Sequence, residues 1–251
     1  MQQSDRSLVN LFWTGGWDST FRLIQLIFLQ EKRVQPFYII DENRLSTGNE
    51  IRAMKIIKEK LFEKYPKTKS LLLPTIFKEV FDISPNQELI NNYNKILEHN
   101  FIGLQYEWLA RFCSETGIQG IEICVEKDSR AYKALKAFVF QSGAGKDLYY
   151  TLDERYHNTD EYELFRFFIF PVFDLTKLEM QTIARNEGFE DFLELTWFCH
   201  TPTDYARPCG VCNPCVAVIE DGLGWRIPLS SRMRYYRRFH LILNKLLRKL
   251  L

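Results

Sequence analysis

The stretch Leu8-Val9-Asn10-Leu11-Phe12-Trp13-Thr14-Gly15-Gly16-Trp17-Asp18-Ser19-Thr20 runs from an apolar segment through two adjacent glycines into the start of a helical pattern. Residues 8–13 read as a buried strand, a short apolar run closed by turn residues. From residue 18 to 30 apolar side chains recur at three- and four-residue spacing, which predicts a helix. A strand that feeds a helix through a tight glycine turn leaves the first helical N–H groups without partners, and such a turn receives anions. Gly15 and Gly16 let the backbone approach a phosphate closely. The hydroxyls of Thr14, Ser19 and Thr20 add donors, Asp18 or Ser19 is placed to cap the helix, and the Asp18 carboxylate suits Mg²⁺ bridging phosphates. Gly-Gly alone would be an ordinary capped turn; a hydroxyl-Gly-Gly-x-Asp-Ser string after the first strand is far more specific.

The same alternation continues outward. Residues 35–41, 71–77, 121–126 and 167–173 read as further strands, and 50–64, 91–115 and 177–187 as helices. Short, mostly apolar strands between helices predict an α/β, doubly wound, mainly parallel sheet, whose ligands bind at the carboxyl ends of the strands. Residues 142–163 are polar, aromatic and without clear period, and are expected to form an irregular insertion, either a lid or a surface excursion. Gly143-Ala144-Gly145-Lys146 does not make a Walker loop, because Phe140 stands where the leading glycine belongs and Asp147 replaces Ser/Thr.

At 251 residues, 46% hydrophobic, the chain is long enough for one substantial core and an elaboration. Its formal charge is +1, but Arg232–Leu251 holds seven of the 33 Lys/Arg and no acid, leaving 26 basic against 32 acidic residues before it. That mildly acidic body argues against a broad nucleic-acid surface, which draws its affinity from neutralised phosphates. The start lacks a signal pattern and no apolar run reaches membrane-span length, so a cytoplasmic protein is expected. In the tail, Phe239, Ile242, Leu243, Leu246, Leu247 and Leu250 fall at helical spacing opposite basic residues. Packing on its own domain, on a second subunit in a homodimer, on an acidic partner or on a membrane surface would each use that stripe.

Four of the six cysteines cluster as Cys199-x9-Cys209-x2-Cys212-x2-Cys215. Without an export signal such a cluster favours metal over disulfides, and four thiolates match tetrahedral Zn²⁺ in a closed, structural site. An iron–sulfur cluster and a redox pair are the competing readings. His200 reads as a neighbour of the ligands, and Cys113 and Cys124 as core thiols.

The loop resembles that of the PP-loop ATP pyrophosphatases (adenine nucleotide α-hydrolase-like, HUP-type Rossmann-like fold), which usually read Ser-Gly-Gly-x-Asp-Ser and cleave ATP between the α and β phosphates. Thr196-Trp197-Phe198-Cys199 with Cys209-Gly210-Val211-Cys212-Asn213-Pro214-Cys215 is similar to the end of one of their families, the 7-cyano-7-deazaguanine synthases of queuosine biosynthesis. Pro171, Leu175-Thr176-Lys177 and Glu179-Met180 resemble the segment leading into that family's last helix. Asp41 and Glu50 resemble its acids after the second strand, but residues 42–48 lack its Gly-Gln-Arg-His motif, and Val125-Glu126-Lys127-Asp128-Ser129-Arg130 replaces its Asp-Cys-Arg-Pro segment. The resemblance implies a PP-loop ATP-binding domain over 1–195, a zinc segment over 196–221 and a basic amphipathic tail over 222–251. It implies an ATP-dependent carbon–nitrogen ligase using ATP, Mg²⁺ and Zn²⁺, which activates a deazapurine carboxylate as an acyl adenylate for attack by ammonia or an amine, in a modification or defence pathway. Thr14, Gly15, Gly16, Asp18, Ser19, Thr20 and Asp41 would bind nucleotide, and Asp18, Ser19, Lys127 and Arg130 would act in catalysis. A tRNA-thiolation enzyme and a nucleotide-holding interaction module are the alternatives.

Overall fold

The computed structural model describes residues 8–127, 129–203 and 206–238. In chain order the strands are β1 (Leu8–Phe12), β2 (Arg33–Ile40), β3 (Ile76–Glu79), β4 (Ile121–Glu122), β5 (Val139–Ser142), β6 (Tyr149–Leu152) and β7 (Phe168–Ile169). The helices are α1 (Trp17–Phe28), α2 (Thr47–Lys64), α3 (Gln87–His99), α4 (Gln105–Thr116), α5 (Arg130–Leu135), α6 (Asp160–Phe165), α7 (Lys177–Asn186), α8 (Glu190–Leu193) and α9 (Asn213–Val218). Five strands form one sheet in the order β3-β2-β1-β4-β7, and every pairing in it is parallel. The chain is therefore an α/β protein, with β1 at the centre and its carboxyl end opening into the glycine turn.

Period-two alternation along β1 explains why both faces are covered. Leu11 and Trp13 enter a core shared with α1, α2, α7 and α8, while Phe12 enters a second core with α3, α4 and α6. The two cores lie on opposite sides of the sheet. A buried ion pair ties helix to sheet inside this frame: Arg22 of α1 donates Nε and Nη2 to the two Glu122 carboxylate oxygens of β4, both at 2.7 Å. Such bidentate geometry is what allows both charges to leave water.

The structure departs from the expected elements where local chemistry intervenes. Leu71 and Leu73 bond Val34, but Pro74 has no N–H to extend the ladder, so β3 starts only at Ile76. The helix expected over 91–115 is two helices, with Asn86 capping α3 through bonds to Glu88 and Leu89 N–H and a non-helical link around Gly103. Residues 142–163 are not irregular: β5 and β6 make an antiparallel hairpin, α6 follows, and Tyr150 bridges Phe170 beside β7. Cys113 is a core thiol pushed up to about 12 by burial, whereas Cys124 is only half-buried beyond β4. Residues 229–238 are helical, and the apolar stripe expected over 239–250 lies outside the described residues. Among the described residues no helix is long and apolar enough to cross a membrane.

Candidate active site and four-cysteine centre

The turn between β1 and α1 is built around Gly15, whose φ of +68° belongs to the left-handed region. A Cβ at Gly15 would lie 2.9 Å from the Glu50 carbonyl oxygen, so α2 packs directly against the turn. Gly16 caps α1 with no side-chain capping bond. Asp18 and Ser19 thus stand inside the first helical turn instead of capping it, leaving its N–H groups unclaimed by any capping side chain. The Thr14 and Ser19 hydroxyls face each other at 3.4 Å, too long to hold either strongly. Thr20 is fully buried and its hydroxyl accepts from the Trp13 indole N–H at 3.0 Å, so it supports the loop from behind.

Beside this turn sits a charged cluster that the loop motif does not announce. Lys177, the first residue of α7, places Nζ 2.5 Å from Glu126 Oε1 and 3.8 Å from both Asp18 Oδ1 and Asp221 Oδ2. A Thr176–Glu179 capping box fixes the start of α7 and hence the lysine stem. Asp18 Oδ1 is buried, with the Lys177 ammonium at 3.8 Å, too far for a hydrogen bond, as its charged neighbour. Burial first, then the Asp18 charge, push Glu126 up to about 8, against the opposing Lys177 ammonium. Lys177 is itself raised above the ordinary lysine value by its neighbouring carboxylates, which outweigh burial.

Because folded Glu126 holds its proton more tightly than an ordinary carboxyl at 4.5, its contribution to stability is complete below pH 4.5 and is lost as pH rises through 8. The melting temperature is expected to fall across that window, and Glu126→Gln to flatten the fall. Calorimetry of both proteins over the same pH series checks it; parallel profiles would contradict the assignment.

The two basic residues expected in catalysis stand just beyond β4, one beside Asp174 and one in a cleft. Lys127 is partly exposed and pairs with Asp174 at 3.4 Å. Lys177 is the lysine that lies beside Asp18, and the Lys127 N–H bonds the Leu175 carbonyl two residues before it. Arg130 lies with its guanidinium 4.8 Å from the centre of the Phe101 ring and lines a cleft of about 380 Å³. Asp41, Arg44, Gln105, Tyr106 and His200 line the same cleft at the carboxyl side of the sheet. No residue of 142–163 is among those that line it. Glu50 is a buttress: it accepts from Tyr38 at 2.8 Å and Ser46 at 2.6 Å and lies 3.6 Å from Arg44.

Cys199, Cys209, Cys212 and Cys215 converge with all four Sγ atoms within 4.8 Å of one another. The Cys209–Cys215 and Cys199–Cys212 sulfurs are 3.9 and 3.8 Å apart. A tetrahedron of sulfurs bonded at about 2.3 Å to one ion has edges of about 3.8 Å, so the set fits a single metal, while a four-iron cluster would hold its thiolates on four separate irons and spread them wider. Backbone N–H groups of Cys209, Val211 and Cys212 point at the sulfurs at 3.1 to 3.4 Å, as thiolates require. Gly210, at φ +80°, lets Ser231 close over the turn, since a Cβ would meet its carbonyl oxygen at 2.1 Å. Arg234 and Arg238 of the C-terminal helix donate to the carbonyls of Cys209 and Val211, so these basic residues serve the chain's own centre.

No family model matches the chain, and no curated protein matches it. Among solved structures, the U34-tRNA thiolase NcsA from Methanococcus maripaludis with its [4Fe-4S] cluster aligns over 95% of this chain and 73% of its own, at 14% identity and a TM-score of 0.44.

Proposed function

We propose that the chain is an ATP pyrophosphatase of the PP-loop type, resembling the 7-cyano-7-deazaguanine synthases, that activates a carboxylate as an acyl adenylate for attack by ammonia or an amine. The observation that carries this reading is the turn itself: a helix N-terminus behind Gly15 and Gly16 with no side-chain cap, flanked by the buried Asp18 carboxylate and the Lys177 ammonium 3.8 Å from its Oδ1. First-turn N–H groups and the Thr14 and Ser19 hydroxyls would cradle the β and γ phosphates. Asp18 would hold Mg²⁺, which when bound neutralises charge on the phosphates. Lys177 would stabilise the pyrophosphate as it departs, with Glu126 setting its position and holding a proton beside the reaction. The carboxylate oxygen attacks the α phosphorus, the bond to the bridging oxygen breaks, and pyrophosphate leaves; the amine then attacks the acyl carbon and AMP departs.

The cleft supports an acidic acceptor, because Arg44 and Arg130 offer cations while Tyr106 and Trp108 supply flat apolar walls. The four cysteines would hold structural Zn²⁺, a closed set with no position for a substrate. A homodimer, with the tail as its contact, is part of the same proposal.

The test is incubation with MgATP, ammonia and 7-carboxy-7-deazaguanine, followed by mass spectrometry. AMP and at least the amide are expected. AMP with a different carboxylate alone would keep the reaction and replace the substrate; nucleotide bound but never cleaved would favour an interaction module.

A further inference from the structure

Arg226 belongs to none of the motifs above, yet it joins three of their segments. Its guanidinium lies over two aromatic rings, 4.7 Å from the Trp17 ring centre and 4.9 Å from that of Phe198. Nη2 donates to the Thr196 carbonyl and hydroxyl oxygens, both at 2.7 Å. Trp17 opens α1 directly after the glycine turn, and its buried indole N–H finds no acceptor, so its ring faces orient it. The neighbouring strand of contacts runs the same way: Trp197 N–H donates to the Gly15 carbonyl at 2.9 Å, and the Trp197 indole donates to the Cys199 carbonyl at 2.8 Å. Thr196, Trp197 and Phe198 lead into Cys199, while Arg226 follows Cys215 by way of α9. The thiolate set therefore fixes both what Arg226 stands on and where it comes from.

We infer that Arg226 is a positioning residue, a planar cation held over the rings of Trp17 and Phe198 that transmits the order of the four-cysteine centre to the glycine turn. Cation–π contacts on two aromatic faces, combined with a fork of hydrogen bonds, need the flat guanidinium, which an ammonium does not replace. Burial lowers Arg226 to about 10, so the side chain remains a cation at neutral pH. The structural part of this inference stands on the contacts alone; its consequence for catalysis rests on the reading of residues 14–19 as a nucleotide loop.

Hydrogen exchange on the metal-loaded full chain separates the two. In Arg226→Gln, peptides covering residues 13–20 are expected to exchange about tenfold faster, Arg226→Lys to give a partial effect, and metal content and the exchange of β2 to stay unchanged. The KM for MgATP should rise by about the same factor with little loss of kcat, since the loop is loosened and no group touching the phosphates is removed. Unchanged exchange at 13–20 in Arg226→Gln, or loosening there only together with metal loss or exchange throughout the sheet, would overturn the clamp. If the parent protein bound no nucleotide, the proposed function would fail while the exchange result still decided the role of Arg226.

Discussion

Asp18→Asn is expected to lower AMP release by about 10²- to 10³-fold, the usual cost of removing one preorganised electrostatic contact to a phosphoryl transition state. The substitution keeps shape and removes charge at a buried carboxylate oxygen beside the turn, 3.8 Å from the Lys177 ammonium. Stability should change little, because the Lys177 ammonium keeps Glu126 at 2.5 Å and Asp221 at 3.8 Å. A second consequence is separable from catalysis: Glu126 loses a charge that raises it, so its carboxyl should titrate lower in the variant. Wild-type pyrophosphate release by Asp18→Asn would remove Asp18 from the mechanism.

Cys212→Ser is expected to act on the fold. The purified parent should carry close to one zinc per chain, and the variant should lose it, with a melting temperature lower by on the order of 10 °C or more, since losing a structural ion costs several kcal/mol in a domain of this size. The reason is placement: Cys212 caps α9, its Sγ stands 3.8 Å from that of Cys199, and Cys199 and Cys215 are fully buried in the core that includes Trp17 and Leu11. Iron in the parent protein, or an unchanged melting temperature after metal loss, would contradict a structural zinc.

The central strand, the glycine turn and the four-cysteine set were legible in the sequence because each is local: an apolar run, a turn with a fixed string of residues, a spacing. What the sequence left out depends on contacts between distant residues. Arg22 meets Glu122 a hundred positions away, Lys177 reaches Asp18 and Glu126 from a different helix, and Arg226 reaches Trp17 from beyond the cysteines. Residue type alone named Lys127, adjacent to β4, and left Lys177 only as part of the Leu175-Thr176-Lys177 segment, since its nearness to Asp18 comes from topology. Thr20 shows the converse limit, since a hydroxyl next to the motif faces inward once the helix sets its direction. The hairpin of residues 139–152 escaped because its alternation is weak and its turn needs the positive φ of Gly143 and Gly145, which composition alone suggests only as a loop.

The most direct test of the account is which bond of ATP the protein breaks. With ATP labelled at the α phosphate, Mg²⁺, ammonia and a panel of heteroaromatic acids headed by 7-carboxy-7-deazaguanine, the label is expected in AMP, with pyrophosphate in equal amount and only when an acid is present. Label in ADP with release of orthophosphate, or ATP left intact with every acid, would contradict it.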